Sequence, residues 1–170
     1  MKVYLEKQRF NQPLVIVGLS IAFIVIGFST MKEWETIAQN SFTEKIGTLS
    51  GLLIIILVSL LFLNLNLKTR IDEKGIYYQY KPLHFSFRLI TWESISKCYI
   101  RNYNGISEYG GWGIKFSFRK NSGRAFTTKG NIGLQIELKD GRKILIGTQK
   151  KEELQRVINT YQHKITSNEA

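Results

Sequence analysis

The amino-acid sequence predicts an α+β protein: a transmembrane α-helical hairpin, then a mainly antiparallel β-barrel or sandwich closed by one C-terminal α-helix. Two windows without a charged side chain, residues 10–31 and 46–67, predict the hairpin. After it, short runs of alternating apolar and polar residues predict seven or eight strands. The expected domains are residues 1–67 for the hairpin and 68–165 for the folded domain, with 166–170 as a tail.

The first window has the composition of a membrane span. Eleven of the fifteen residues from Leu14 to Phe28 are Leu, Ile, Val or Phe. Twenty-two helical residues rise about 33 Å, enough for a hydrocarbon core of about 30 Å. Buried helices of a soluble core are the alternative, but they usually carry a polar stripe that neither window shows. A cleaved signal peptide is the alternative for the first window alone, although the Ala-x-Ala cleavage pattern is missing.

The charges that flank the two windows predict an orientation. The N-terminal tail has three basic residues against Glu6, and the connection 32–45 has two lysines against three acids. From residue 68 onward there are nineteen Lys and Arg against nine acids. Segments rich in Lys and Arg that flank membrane spans usually remain on the cytoplasmic side. We therefore expect a multi-pass protein of the cytoplasmic (inner) membrane with both termini in the cytoplasm.

The spans themselves favour an anchor over a transporter. Neither window holds an ionisable residue that could form a proton relay or an ion site. Gly47 and Gly51 form a GxxxG pair in the second window, and this spacing permits close helix approach. The approach could occur inside the hairpin or between two copies of the chain, which would make a homo-oligomer.

Several elements of the folded domain are predicted by local pattern. Ile132–Gly147 alternates cleanly around Asp140-Gly141, which predicts a β-hairpin with a two-residue type I′ turn. Arg124–Lys129 is expected to be a short edge strand or an irregular return. One apolar stripe at helical spacing predicts the C-terminal helix: Leu154, Val157, Ile158, Tyr161 and Ile165. Other alternating runs predict strands over Leu67–Asp72, Ile76–Lys81, Phe85–Trp92, Ile95–Tyr103 and Gly113–Arg119.

The order of these elements and three short segments resemble bacterial pleckstrin-homology (PH)-like domains. The segments are Glu108–Gly113, Asp140–Arg142 and Ile146–Gln149. Bacterial PH-like domains often follow a short transmembrane hairpin, as expected here. The resemblance covers most of Leu67–His163 and implies two orthogonal sheets with an open corner closed by the helix. It implies no catalytic residue, and PH folds recognise lipids, peptides and proteins alike.

Residues suited to catalysis or cofactor binding do not form a recognisable set. The two histidines lie far apart without a Cys or acid at ligand spacing, so no metal site is expected. Cys98 alternates with Ile100 on a strand face and is expected to be a buried small hydrophobe rather than a nucleophile. No nucleophile elbow, P-loop or dinucleotide fingerprint occurs. We therefore expect no cofactor and no enzyme activity.

Basic and aromatic residues of the folded domain supply the candidate binding surface. Basic side chains near an anionic leaflet attract its headgroups, whereas the absence of a nucleic-acid-binding motif excludes nucleic acid as a partner. The predicted function is a non-catalytic, membrane-anchored module that recognises a protein, peptide or lipid headgroup. The alternative is a structural or regulatory subunit of a larger membrane complex whose spans do the essential packing. The candidate surface residues are Arg88, Lys97, Arg101, Tyr109, Trp112, Lys115, Arg119, Lys120 and Arg124.

Overall fold

The computed structural model is α+β and describes residues 3–32, 34–39, 42–117 and 123–166. Residues 11–64 form a helical unit, and residues 1–10 together with 65–170 form a second unit built on sheets. The elements in chain order are β1 (Tyr4–Arg9), α1 (Pro13–Lys32), α2 (Trp34–Gln39), α3 (Phe42–Asn64), β2 (Asn66–Asp72), β3 (Gly75–Lys81), β4 (Arg88–Thr91), a 3-10 turn (Trp92–Ser94), β5 (Ile95–Asn102), α4 (Gly105–Tyr109), β6 (Gly113–Phe116), β7 (Arg124–Thr127), β8 (Ile132–Leu138), β9 (Lys143–Gly147) and α5 (Lys151–Thr166).

In the described part of the helical unit, one helix is long and apolar enough to cross a membrane, and this helix is α1. Its 20 residues rise about 30 Å, the thickness of a hydrocarbon core. Within α3, the apolar stretch Leu49–Asn64 is shorter. The second apolar window was expected to run to Leu67, but Leu65 and Leu67 are buried in the sheet unit. The helix therefore ends earlier than the hydropathy of the sequence suggests.

The first sheet includes a strand from the extreme N-terminus. Its order is β1-β2-β3-β4, and all of its pairs are antiparallel. Arg9 pairs with Asn66, and Phe10 N donates to Leu65 O at 3.0 Å, which continues the ladder beyond the strand ends. Residues 1–10 were expected to belong to the hairpin, whereas Tyr4–Arg9 form a strand of the first sheet. The two strands that flank the helical unit are thus direct neighbours.

The second sheet is mixed rather than wholly antiparallel. Its order is β5-β8-β9-β7-β6, and β7 runs parallel to β9. The segment from Arg124 was expected to be an edge strand or an irregular return, but β7 lies between β9 and β6. Sequence periodicity could not reveal this because a four-residue strand has the same alternation in either direction.

The β8–β9 hairpin is confirmed, but its turn differs from the predicted one. Leu138 N donates to Arg142 O at 2.9 Å, so the loop holds three residues, Lys139–Gly141. Gly141 has φ 84° and its N–H donates to Leu138 O. A type I turn followed by a left-handed glycine gives this three-residue loop, whereas a type I′ turn at Asp140-Gly141 would give two.

The C-terminal helix is as the apolar stripe predicts. All five stripe residues of α5 are buried, and the Tyr161 ring stacks on Trp92 with ring centroids 5.3 Å apart. The expected barrel or sandwich had seven or eight strands, whereas the described residues form nine strands in two sheets, without a closed barrel among them. The expected strand Phe85–Trp92 is reduced to β4, and residues 82–87 form a loop.

Candidate functional site

A basic cleft of about 550 Å³ lies in the sheet unit, between side chains of both sheets. Four described residues supply its cationic lining: Arg88, Arg124, Arg142 and Lys143. Its apolar lining comes from Tyr78, Phe116 and Ile144. Among the described residues that line the cleft, none is acidic. The cleft therefore combines positive charge with apolar and aromatic walls.

Strand register brings the lining residues together. Phe116 at the end of β6 pairs with Arg124 at the start of β7, which pairs in turn with Ile144 of β9. Gly123 precedes β7 with φ 70°, and a Cβ at this position would overlap the carbonyl of Lys143. Only glycine therefore permits this close approach of β7 to β9. The three strand ends form one side of the cleft, and Arg88 of β4 faces it from the other sheet.

Two of the four cations are neutralised by nearby acids. Arg142 forms an ion pair with Asp140 at 2.6 Å, and its hydrogen bonds hold the pKa of that carboxyl below its usual value. Lys143 lies 3.4 Å from Glu137. Burial alone would raise the pKa of Glu137, but hydrogen bonds from Tyr99 and the charge of Lys143 outweigh burial and lower it.

The other two cations, Arg88 and Arg124, form no ion pair within the part of the chain that the structure describes. The Arg124 guanidinium lies 4.7 Å from the ring centroid of Phe116, a cation–π contact that orients the side chain along the cleft wall. Guanidinium groups bind phosphate and carboxylate oxygens through paired N–H donors. The cleft can therefore accept an anionic group with a small apolar neighbour.

The structure brings together only part of the predicted binding surface. Arg88 and Arg124 line the cleft, whereas Lys97 is exposed on β5, in a strand that does not line it. Lys115 of β6 is half-buried and is also absent from the lining. Arg119 and Lys120 lie outside the described residues. The cleft residues Arg142 and Lys143 were not predicted, although two adjacent basic residues after a turn glycine were a visible signal.

The remaining predicted residues hold the loop around α4 together. Tyr109 is buried, and its hydroxyl accepts from Arg101 at 3.2 Å. Arg101 also forms an ion pair with Glu108 at 2.9 Å. The Trp112 indole N–H donates to Gly130 O at 2.8 Å. These contacts are internal, so Tyr109, Trp112 and Arg101 stabilise the fold here and do not join the cleft.

The groups most suited to catalysis are occupied by structural contacts. Burial raises the pKa of the Cys98 thiol to about 12, so at neutral pH it is not a thiolate nucleophile. The His84 ring packs near Tyr78 and Phe126, and its Nδ1 accepts from Tyr80 N at 3.3 Å. Within the described residues, no group of three His, Cys, Asp or Glu side chains could hold a metal ion.

The described residues define an α+β protein with one apolar helix long enough to cross a membrane and a basic cleft in its sheet unit. No protein family, no curated protein and no solved structure matches the chain.

Proposed function

We propose that the protein is a non-catalytic, membrane-anchored recognition module whose basic cleft binds an anionic phospholipid headgroup at the cytoplasmic face of the membrane. The observation that carries this proposal is the cleft, in which Arg88 and Arg124 form no ion pair with any described residue and apolar side chains lie beside them. A phosphate group offers the paired oxygens that guanidinium groups bind. The glycerol carbons next to such a phosphate suit the apolar walls.

A PH-like fold is part of this proposal. Two sheets, followed by a C-terminal helix whose apolar stripe is buried, are consistent with the resemblance in the sequence. The stacking of Tyr161 on Trp92 ties that helix to the segment between the two sheets. The insertion of the helical unit between β1 and β2 is a departure from a hairpin that simply precedes the domain.

The β1–β2 pairing supports two membrane crossings rather than one. Phe10 and Leu65 are joined by a hydrogen bond, so the chain leaves and re-enters the sheet unit at neighbouring positions. A folded sheet lies on one side of a membrane, and the segment between its strands must therefore cross an even number of times. If α1 is the first crossing, α3 is the proposed second crossing. The basic residues that follow α3 favour a cytoplasmic position for the sheet unit.

Single cysteines test this topology in cells that express the full chain. With Trp34→Cys, we expect a membrane-impermeant maleimide to label intact cells, because residue 34 lies in the connection proposed to face outward. With Glu152→Cys in α5, we expect labelling only after permeabilisation. The native Cys98 is buried and gives little background. Labelling of residue 152 in intact cells would contradict the cytoplasmic placement.

Binding of soluble glycerophosphate to the full chain in a zwitterionic detergent tests the cleft. The double variant Arg88→Gln/Arg124→Gln removes both unneutralised cations, and we expect its Kd to rise about tenfold or more, the worth of one or two charge-assisted hydrogen bonds. Isothermal titration calorimetry measures both affinities. Added salt should weaken wild-type binding as well.

Lys97→Gln is the matched control, because it removes an exposed cation that does not line the cleft. We expect this variant to bind glycerophosphate as the wild type does. Equal affinity of the double variant and the wild type would contradict the proposal, and so would a loss in Lys97→Gln as large as that in the double variant.

The alternative, a subunit whose helices do the essential packing, has one favouring observation. A Cβ added at Gly47 or Gly51 would meet no described atom within 4 Å. The GxxxG face therefore has room for a helix of another membrane protein or of a second copy. Replacing residues 11–64 with an unrelated hairpin separates the two functions: a recognition module keeps its activity, and a packing subunit loses it.

A further inference from the structure

The loop between β3 and β4, residues 82–87, exposes apolar side chains on a base held by hydrogen bonds. Phe85 is 97% exposed, and Leu83 and Phe87 are about half exposed. Full exposure of a phenylalanine in a folded domain leaves its whole apolar surface in contact with solvent, so such a patch usually marks an interaction site. We refer to these three side chains as the apolar tip.

The backbone that carries the apolar tip is held by hydrogen bonds. Gln79 is buried in β3, and its Nε2 donates to His84 O at 3.1 Å and to Phe85 O at 3.0 Å. His84 N donates to Tyr80 O at 2.8 Å. The fold thus fixes the base of the loop while it leaves the ring of Phe85 outside, which is the arrangement of a presented side chain.

Strand register places the apolar tip at the end of the sheet where the chain continues into the helical unit. Lys81, the last residue of β3, pairs with Asn66, and Asn66 pairs with Arg9. Phe10 and Leu65 follow directly at the same end. Leu65 alone separates the last residue of α3 from the first of β2. The loop therefore begins beside the two points through which the sheet unit is tethered.

The side chains around this end are basic. Lys7, Arg9 and Lys68 alternate with buried neighbours and project from the outer face of the first sheet, and Lys81 is exposed. The acids of β1, β2 and β3 are Glu6 and Asp72, and both are buried. An apolar tip with basic side chains around it matches an anionic bilayer surface, where acyl chains lie beneath negative headgroups.

We propose that the apolar tip inserts into the interfacial region of the anionic membrane that the helical unit crosses. This inference rests on the membrane anchoring proposed above and does not depend on the cleft. The partner is the lipid surface itself, recognised by Leu83, Phe85 and Phe87 together with the surrounding lysines and arginine. Insertion gives the exposed ring of Phe85 an apolar environment.

Nitroxide labels on the full chain test the insertion. The chain is reconstituted in vesicles of phosphatidylcholine and phosphatidylglycerol, and the label is placed by Phe85→Cys. Ile106→Cys is the matched control, because Ile106 is a well-exposed apolar residue on α4, outside the loop. Val25→Cys in α1 reports on the anchor. Wild-type chain with the buried Cys98 is the labelling blank.

Collisions of each label with oxygen and with a water-soluble nickel complex are measured by electron paramagnetic resonance. We expect an oxygen-to-nickel collision ratio several-fold higher at residue 85 than at residue 106. A ratio at residue 85 equal to that at residue 106, with residue 25 in lipid, overturns the insertion and leaves the anchor intact. A water-like ratio at residue 25 overturns the anchor itself. A label at residue 85 shielded from both reagents indicates a protein partner and also overturns the insertion.

Discussion

Replacing Glu6 with alanine is expected to lower the free energy of unfolding of the sheet unit by about 3 kcal/mol. The Glu6 carboxylate is buried and accepts hydrogen bonds from Tyr4 OH, from Thr148 Oγ1 at 2.9 Å and from Gln149 N at 2.8 Å. Each buried donor that loses its acceptor costs about 1–3 kcal/mol, with some overlap among the three. The variant would thus loosen β1 from the junction of β9 and α5.

The Tyr4 hydroxyl, which donates to Glu6, lies in surroundings that exclude water. Burial, together with the hydrogen bond to Glu6, raises the pKa of its phenol well above the ordinary value. A second polar link lies beside it: Gln8 Nε2 donates to Gly147 O at 2.7 Å, and Thr128 Oγ1 donates to Gln8 Oε1 at 2.7 Å. In the alanine variant Tyr4 OH and Thr148 Oγ1, which lie 3.0 Å apart, can still bond to each other, whereas Gln149 N loses the acceptor that Glu6 provides.

Urea unfolding of the full chain in detergent, followed by tryptophan fluorescence, measures this loss. The matched control is Glu152→Ala, an exposed acid in the first turn of α5, with an expected change within about 0.5 kcal/mol. Glu6→Gln keeps one acceptor oxygen, so its free energy of unfolding should lie between those of Glu6→Ala and Glu152→Ala. If Glu6→Ala were as stable as Glu152→Ala, the hydrogen bonds of the carboxylate would not hold β1 in place.

Replacing Trp92 with alanine is expected to lower the free energy of unfolding of the sheet unit by about 3–5 kcal/mol, the usual range for removal of a large buried aromatic side chain. Trp92 is almost wholly buried, stacks on Tyr161 and donates its indole N–H to Asp72 O at 3.0 Å. Loss of the indole would leave a cavity between the first sheet and α5. The carbonyl oxygen of Asp72 would also lose its hydrogen-bond donor. The amides of α5 should then exchange faster than those of the wild type.

Hydrogen exchange with mass spectrometry on the full chain measures the protection of α5. Trp34→Ala removes the same side chain from an exposed position and should leave that protection unchanged. Trp92→Phe keeps a ring against Tyr161 but removes the indole donor, and should cost about 1–2 kcal/mol. Unchanged exchange of α5 in Trp92→Ala would show that Trp92 does not support the helix.

Elements with a strong local period could be predicted from the sequence. The stripe from Leu154 to Ile165 defines α5, and the alternation of Leu134, Ile136 and Leu138 defines β8. In both cases the buried positions are apolar and the spacing is that of the backbone itself. Neither prediction required knowledge of the rest of the chain.

β1 could not be predicted, because its inward positions are largely polar. Tyr4, Glu6 and Gln8 face the interior, while Leu5 on the same strand is exposed. An alternating pattern with the polar residues inside gives no hydrophobic signal. Burial of Glu6 depends on donors near residue 148, and no local rule connects positions so far apart.

The cleft was predictable only in part, for the same reason. Arg88 and Arg124 could be recognised as surface cations. They line the same cleft only because β7 pairs in parallel with β9 and because the two sheets face each other there. The apolar alternation of Phe85, Phe87 and Leu89 predicted a longer strand. In the structure the regular strand begins only at Arg88, and the two phenylalanines lie on the preceding loop.

The insertion of residues 11–64 between β1 and β2 sets an order of assembly during synthesis. The ribosome releases β1 first, and β1 has no partner until the whole helical unit and then Asn66–Asp72 have followed. Closure of the first sheet therefore comes after the helices have been made, and β1 waits unpaired until then. A shortened chain that began at Lys68 would lack β1, whereas a short turn joining Phe10 to Leu65 would preserve every strand of the sheet unit.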